Sequence, residues 1–213
     1  AMSGLTSQPN LGSIAHALKG GERDPQVDGA AQQALSHYWE GVRNAYRPFE
    51  PDLRAGTSDV YKHEMPGGQY TNLREQARAV GLDHRWPEVS DAYAEVNRLF
   101  GDIVKVTPTS KVVGDMALFM VANGLTAEEV ADPDKEVAFP ESVVDMMKGN
   151  LGQPPGGWPK ALQKKILKGE KASTERPGAL AEPVDIEKTR KELSKTLDGF
   201  QVDDEDLNGY LMY

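Results

Sequence analysis

The sequence predicts a mainly α-helical fold, and three observations carry that expectation. Apolar residues recur at three- and four-residue steps through most of the chain. Between those stretches, 21 glycines and 14 prolines punctuate the 213 residues and keep the helices short. A mean hydropathy of −0.55 with 38% apolar residues leaves each helix a polar face as well as an apolar one.

The opening "AMSGLTSQPN" reads as a buried strand leaving into a polar loop. "LGSIAHALKG" is then a short helix, with Leu11, Ile14, Ala15 and Leu18 on one face and Gly20-Gly21 ending it. A longer helix runs from about Val27 to Tyr46, where Ala31, Leu35, Tyr38, Trp39 and Val42 form the stripe and Pro48 and Pro51 close it. "HEMPGGQYTNL" makes a turn, because Pro-Gly-Gly supplies a fixed φ and two residues tolerant of positive φ. Leu73, Ala77 and Val80 mark the helix leaving it, with Gly81 placed to cap its end. Pro87 fits the first turn of the next helix, whose stripe is Val89, Tyr93, Val96 and Phe100.

"DIVKV" reads as a short strand or an extended connector. "SKVVGDMALFMVANG" is apolar around most of its circumference and is the expected centre of the core, with Ser110 as its N-cap. "TAEE" has capping-box spacing. "PESVVDMMKG" and the segment carrying Ala161, Leu162 and Ile166 are two more short helices, joined by a loop that Trp158 anchors. From Gly169 to Pro183 the composition turns to Lys, Glu, Ser, Pro and Gly, so residues 1–168 and 169–213 are expected to be separate regions, the second an extended arm with charged helices. Ile186, Leu193 and Leu197 give that arm a thin apolar stripe, and Leu211, Met212 and Tyr213 end it. Both ends read as cut from a longer polypeptide.

The composition narrows the function. No run of eighteen apolar residues predicts a membrane span, and no basic-then-apolar segment predicts a secretory signal. Cysteine is absent, which fits a reducing, cytoplasmic setting. A net charge of −9 argues against nucleic acid or an anionic membrane surface as partner. His16, His37, His63 and His84 are scattered without metal-ligand spacing, and no phosphate-cradling loop is present. The acidic run from Asp203 to Asp206 reads as a solvated helix start, and Lys111 and Asp115 read as a surface pair one turn apart. His63, Glu64, Gln69 and Asn72 crowd polar groups around the Pro-Gly-Gly turn, a cluster suited either to packing or to binding. Thr6 is the sharpest candidate. Its hydroxyl is too weak a base to act alone, yet it can accept one proton while donating its own; the bland alternative is a turn or helix cap.

Five stretches, "MSGLTSQPNLGS", "HEMPGGQYTNL", "LFGDIVKVTPTSKVVGDMALFMV", "FPESVVDMMKGNLGQPPGGWP" and "RPG", give the chain a specific resemblance. Together they resemble the carboxyltransferase domain of the pyruvate carboxylase family, essentially end to end. Oxaloacetate decarboxylase α subunits and the transcarboxylase subunit share the middle block. The resemblance implies a helical funnel extension following the last strand of a (β/α)8 carboxyltransferase barrel, with the barrel itself absent from this chain. It implies that Thr6 is the catalytic proton-transfer residue, passing a proton from the methyl carbon of pyruvate towards the ring nitrogen of biotin. Ser7 and Gln8 would line the same substrate and biotin pocket.

The same resemblance places the other requirements outside this sequence. The divalent metal with its ligands, the residues that grip pyruvate, the ATP-dependent domain and the biotin carrier domain all belong to the parent enzyme. The expected partners are the rest of the barrel, the carrier domain, pyruvate and further copies of the parent in a homo-oligomer, and the isolated chain is expected to be inactive. Two other readings stand beside this one: a fragment of a decarboxylase or transcarboxylase subunit, and a non-catalytic helical assembly module.

Overall fold

The structure is a computed structural model that describes residues 10–50 and 56–212. Among them, helices and turns account for the regular structure and no strand is present. The chain divides into two compact units, residues 1–174 and 175–213.

The first unit begins with a helical hairpin. Asn10 caps α1 (Leu11–Leu18) by accepting from the Ser13 N–H at 3.2 Å. Asp28 caps α2 (Gly29–Tyr46) through the Ala30 and Ala31 amides, and a 3-10 turn containing Pro48 ends it. Neither helix buries a single residue. The apolar stripe expected from the sequence is present but faces solvent: Trp39 is half exposed, Tyr38 is 62% exposed and Phe49 is 83% exposed.

The core lies further along. A single turn, α3 (Val60–His63), leads into α4 (Gly67–Ala79). The sharp reversal falls earlier than the sequence indicates: Glu64, at φ +60°, is the left-handed residue, while Gly67 and Gly68 are already the first turn of α4 behind Pro66. The reason is that α3 needs a left-handed residue to terminate it, and the turn is spent there. Gly81 ends α4 in the left-handed region, where the sequence placed it.

Trp86 and Pro87 begin α5 (Trp86–Leu99), which packs along α6 (Thr109–Asn123). Val89, Tyr93, Val96 and Phe100 meet Val112, Val113, Met116, Ala117 and Met120 in one buried cluster. Ser110 is not the cap of α6. It is buried inside the first turn, its carbonyl accepting from the Tyr93 hydroxyl, while the Thr109 hydroxyl secures the approach by donating to the carbonyls of Val104 and Val106. "DIVKV" is a connector, with Ile103 buried and Val104 and Val106 exposed.

Thr126 and Glu129 form the reciprocal capping box at the start of α7 (Ala127–Ala131). The helices α8 (Glu141–Lys148) and α9 (Lys160–Leu167) complete the cluster with Val143, Met146, Met147, Leu162 and Ile166. Trp158 is buried and anchors the loop between them.

The second unit contains α10 (Pro177–Leu180), α11 (Ile186–Thr196) and α12 (Asp204–Met212). Asp185 caps α11 at the Lys188 amide. Arg190 then ties α11 to the segment before α12, donating to the Val202 carbonyl at 2.7 Å and to Asp204 at 2.5 Å. Asp203 accepts from the Asp206 amide, so the acidic run is a helix start, where anionic side chains face the positive end of the helix dipole.

Candidate functional site

Thr6, Ser7 and Gln8 lie outside the described residues. What can be built upward is the structure that follows them, in which Asn10 turns the chain directly into α1. The return to α2 is held by Asp24, whose carboxylate accepts from the Gly20 N–H at 2.7 Å and the Gln26 N–H at 2.9 Å. Those two backbone donors hold its carboxyl below the ordinary range for an aspartate. A groove of about 410 Å³ runs between the two helices, lined by His16, Lys19, Asp24, Gln32 and Gln33.

The polar cluster around the turn separates into two pairs. Glu64 and Asn72 are exposed, and Glu64 pairs with Lys105 at 3.0 Å. His63 and Gln69 are buried, His63 at 4% exposure. His63 Nδ1 accepts from the Met65 amide at 2.9 Å, which places the ring proton on Nε2. Burial pushes its pKa down, opposed by the nearby Asp59. The ring lies against Tyr70, which in turn meets Trp86 edge-on and accepts its indole N–H at 3.2 Å. A pocket of about 180 Å³ opens beside them, bounded by Asp59, Lys62, Ser90 and Asp91, with Lys62 and Asp91 paired at 2.6 Å. The Gln69 amide nitrogen is buried with no hydrogen-bond partner and presses towards Gly114 of α6. These contacts define a helix junction first.

Sequence spacing found the Lys111–Asp115 pair, which forms at 2.8 Å. It missed what that pair supports: the Ser142 hydroxyl donates to the same Asp115 carboxylate at 2.8 Å, joining α6 to α8. It also missed Lys165, whose ammonium donates to the carbonyls of Val130 at 2.7 Å and Asp132 at 2.5 Å and so caps α7 from α9. Links between residues more than twenty positions apart leave no local signal. Among the described residues no group of three or more His, Asp or Glu side chains is placed to hold a metal ion.

The arrangement is thus a helical scaffold trailing from the Thr6 motif, with a polar junction but no assembled catalytic centre among the described residues. That type of scaffold is a defined protein class: residues 60–213 match the conserved carboxylase domain, and the chain belongs to that family. Its relatives identify the particular protein to which it is similar. The chain is 49% identical to the pyruvate carboxylase of Bacillus subtilis and 51% identical to that of Staphylococcus aureus. Each match covers all of this chain and 18% of the relative.

Among solved structures, the carboxyl transferase domain of Rhizobium etli pyruvate carboxylase with oxamate and biotin is 60% identical with a TM-score of 0.85. It covers 99% of this chain, and this chain covers 35% of it. The complete multifunctional enzyme from the same organism also superposes with a TM-score of 0.85, over 21% of its chain. The chain therefore spans about a fifth of the pyruvate carboxylases it matches and about a third of the solved carboxyl transferase domain. The mainly helical fold, without a strand among the described residues, agrees with a helical extension beyond a barrel. No described helix is long and apolar enough to cross a membrane.

Proposed function

We propose that this chain is the helical part of the carboxyltransferase domain of a biotin-dependent pyruvate carboxylase, acting in the step that forms oxaloacetate from pyruvate. The observation that supports it is a 60% identity, at a TM-score of 0.85, to a solved domain of that kind with oxamate and biotin. Thr6 is the residue of this chain that acts on the substrate: its hydroxyl accepts a proton from the methyl carbon of pyruvate and donates its own towards the biotin ring nitrogen. Ser7 and Gln8 border the same pocket. Biotin, when present, supplies the carboxyl group, and the divalent metal and ATP act through residues outside this chain.

The exposed stripe of α1 and α2 supports a partner across that face, and the remainder of the carboxyltransferase domain is that partner. The wider assembly includes the biotin carrier domain and a homo-oligomeric parent. Residues 169–213 are the arm that leads onward, and the cysteine-free composition suits the cytoplasm.

The test is Thr6→Ala in the intact parent enzyme. Pyruvate carboxylation should fall by at least about 100-fold, the scale of a lost proton-transfer group, while bicarbonate-dependent ATP cleavage persists. Thr6→Ser should retain part of the activity. Full carboxylation by the alanine variant removes Thr6 from the reaction.

A further inference from the structure

Apart from the junction at His63, the first unit has a cavity of about 560 Å³ beside α9, a size at which proteins hold small molecules. Its apolar base includes Val137, which is buried, Phe139, which packs on the core, and Ala161. Its cations come mainly from α9: Lys164, Lys165 and Lys168 follow Ala161 at three- and four-residue steps and so share one face. Lys168 ends that helix at φ +47°, a backbone that glycine adopts at less cost, yet the position carries a long cationic side chain.

The chain as a whole carries −9, but this cavity carries a positive excess, with Lys135 and the three lysines of α9 set against Asp134 and Glu136. Lys135 is paired with Glu129, and Lys168 lies 3.6 Å from Glu136 with both side chains largely exposed. Lys165 is fixed instead by backbone: its ammonium donates to the Val130 and Asp132 carbonyls and lies 5.9 Å from the centre of the Phe139 ring. Lys164 has no ion-pair partner among the described residues. Like charges one turn apart on a helix repel, and an anion received between them removes that cost. Cations gathered over an apolar base in an acidic chain complement a ligand that is anionic at one end and apolar at the other.

We propose that this cavity binds a small organic anion, its apolar body on Val137, Phe139 and Ala161 and its anionic head between Lys164 and Lys168. Lys165 supplies a fixed positive charge while it caps α7, and the flexible stems of Lys164 and Lys168 let their ammoniums close on the head group. The site needs only residues of the first unit and is independent of the carboxyltransferase reading.

An NMR titration of the full 213-residue chain with phenyl phosphate tests it. The backbone amide signals of Val137, Phe139, Lys164 and Lys168 should move together and saturate in the millimolar range or tighter. Inorganic phosphate has the charge without the ring and phenol the ring without the charge, so each should bind there at least about threefold more weakly. Lys164→Gln combined with Lys168→Gln should weaken phenyl phosphate binding at least about threefold, the scale of two exposed charge pairs. Ala161→Glu puts a carboxylate on the base of the cavity, in the first turn of α9 where an acidic side chain favours the helix, and should abolish binding in a chain that melts like its parent. Shifts that never saturate, that centre on the α1–α2 stripe, or that persist unchanged in the lysine double variant overturn the site and leave these lysines as a solvated end of α9. If Ala161→Glu does not fold, the lysine double variant decides alone.

Discussion

Gly114→Ala sets two known effects against each other at one atom. Gly114 lies inside α6, where replacing glycine by alanine ordinarily favours the helix by about 0.8–1 kcal/mol. Here the new Cβ would lie 2.5 Å from Gln69 Nε2 and 2.9 Å from Leu73 Cδ1, both on α4. Gln69 can retreat without losing a hydrogen bond, because its amide nitrogen has none. Leu73 cannot, since it is fully enclosed by the core. Overpacking of that kind costs about 1–3 kcal/mol.

The net expectation is a destabilisation of about 1 kcal/mol, lowering the melting temperature by about 2–4 °C in a unit of this size. Urea unfolding followed by circular dichroism measures it, with an unchanged m-value showing that the folded state keeps its compactness. In a Gln69→Ala background the same substitution should cost at least about 0.5 kcal/mol less, because the two side chains compete for one space. A Gly114→Ala chain as stable as its parent, or more so, would refute the packing argument at the α4–α6 crossing.

Two further expectations concern polar groups. Thr126→Ala removes the hydroxyl that accepts from the Glu129 amide, so urea unfolding should show a loss of about 1 kcal/mol, typical of a helix N-cap. His63 titrates below its ordinary value because it is buried. As pH falls through about 6.5, the unfolded chain takes up a proton that folded His63 refuses, so stability present above that pH is lost down to the folded-state pKa. Unfolding free energies at pH 7.5 and 5.5 should therefore differ more in the parent than in His63→Asn, and equal differences would contradict a buried neutral imidazole.

The helices were legible because their signals are local. Pro87, Gly81 and the Thr126–Glu129 pair act within one turn of their own position, and the structure shows Gly81 just past the end of α4, the pair as a capping box and Pro87 in the first turn of α5. The two misplacements have different causes. Ser110 has the chemistry of a cap, but the tertiary bond from Tyr93 and the burial of its own turn draw it into α6. Pro-Gly-Gly has the chemistry of a turn, but the left-handed position goes to Glu64 and leaves the glycines to start α4. At Ser110 a contact made by another part of the chain decides between conformations that the local residues permit, whereas at Pro-Gly-Gly the end of the preceding turn decides. The candidate site was legible only through the long motif around Thr6. A threonine beside a serine and a glutamine carries no spacing rule of its own, and in the proposed function its chemistry depends on groups from outside this chain.

The α1–α2 hairpin shows the limit of periodicity as a guide to burial. Its stripe of Leu35, Tyr38 and Trp39 is as regular as that of Val89, Tyr93 and Val96 on α5. Yet Tyr93 is sealed and Tyr38 is 62% exposed. A three- and four-residue repeat states that a helix has an apolar face; it does not state which segment covers that face. At about 25 cal/mol for each Å² of apolar surface removed from water, aromatic residues such as Tyr38 and Trp39 represent stabilisation that the described residues leave unrealised. The hairpin directly follows the Thr6 motif in the sequence, so under the proposed function the segment that covers its stripe is also a neighbour of that motif. On that proposal, cover of the α1–α2 stripe by the remainder of the carboxyltransferase domain and placement of Thr6 belong to the same assembly step.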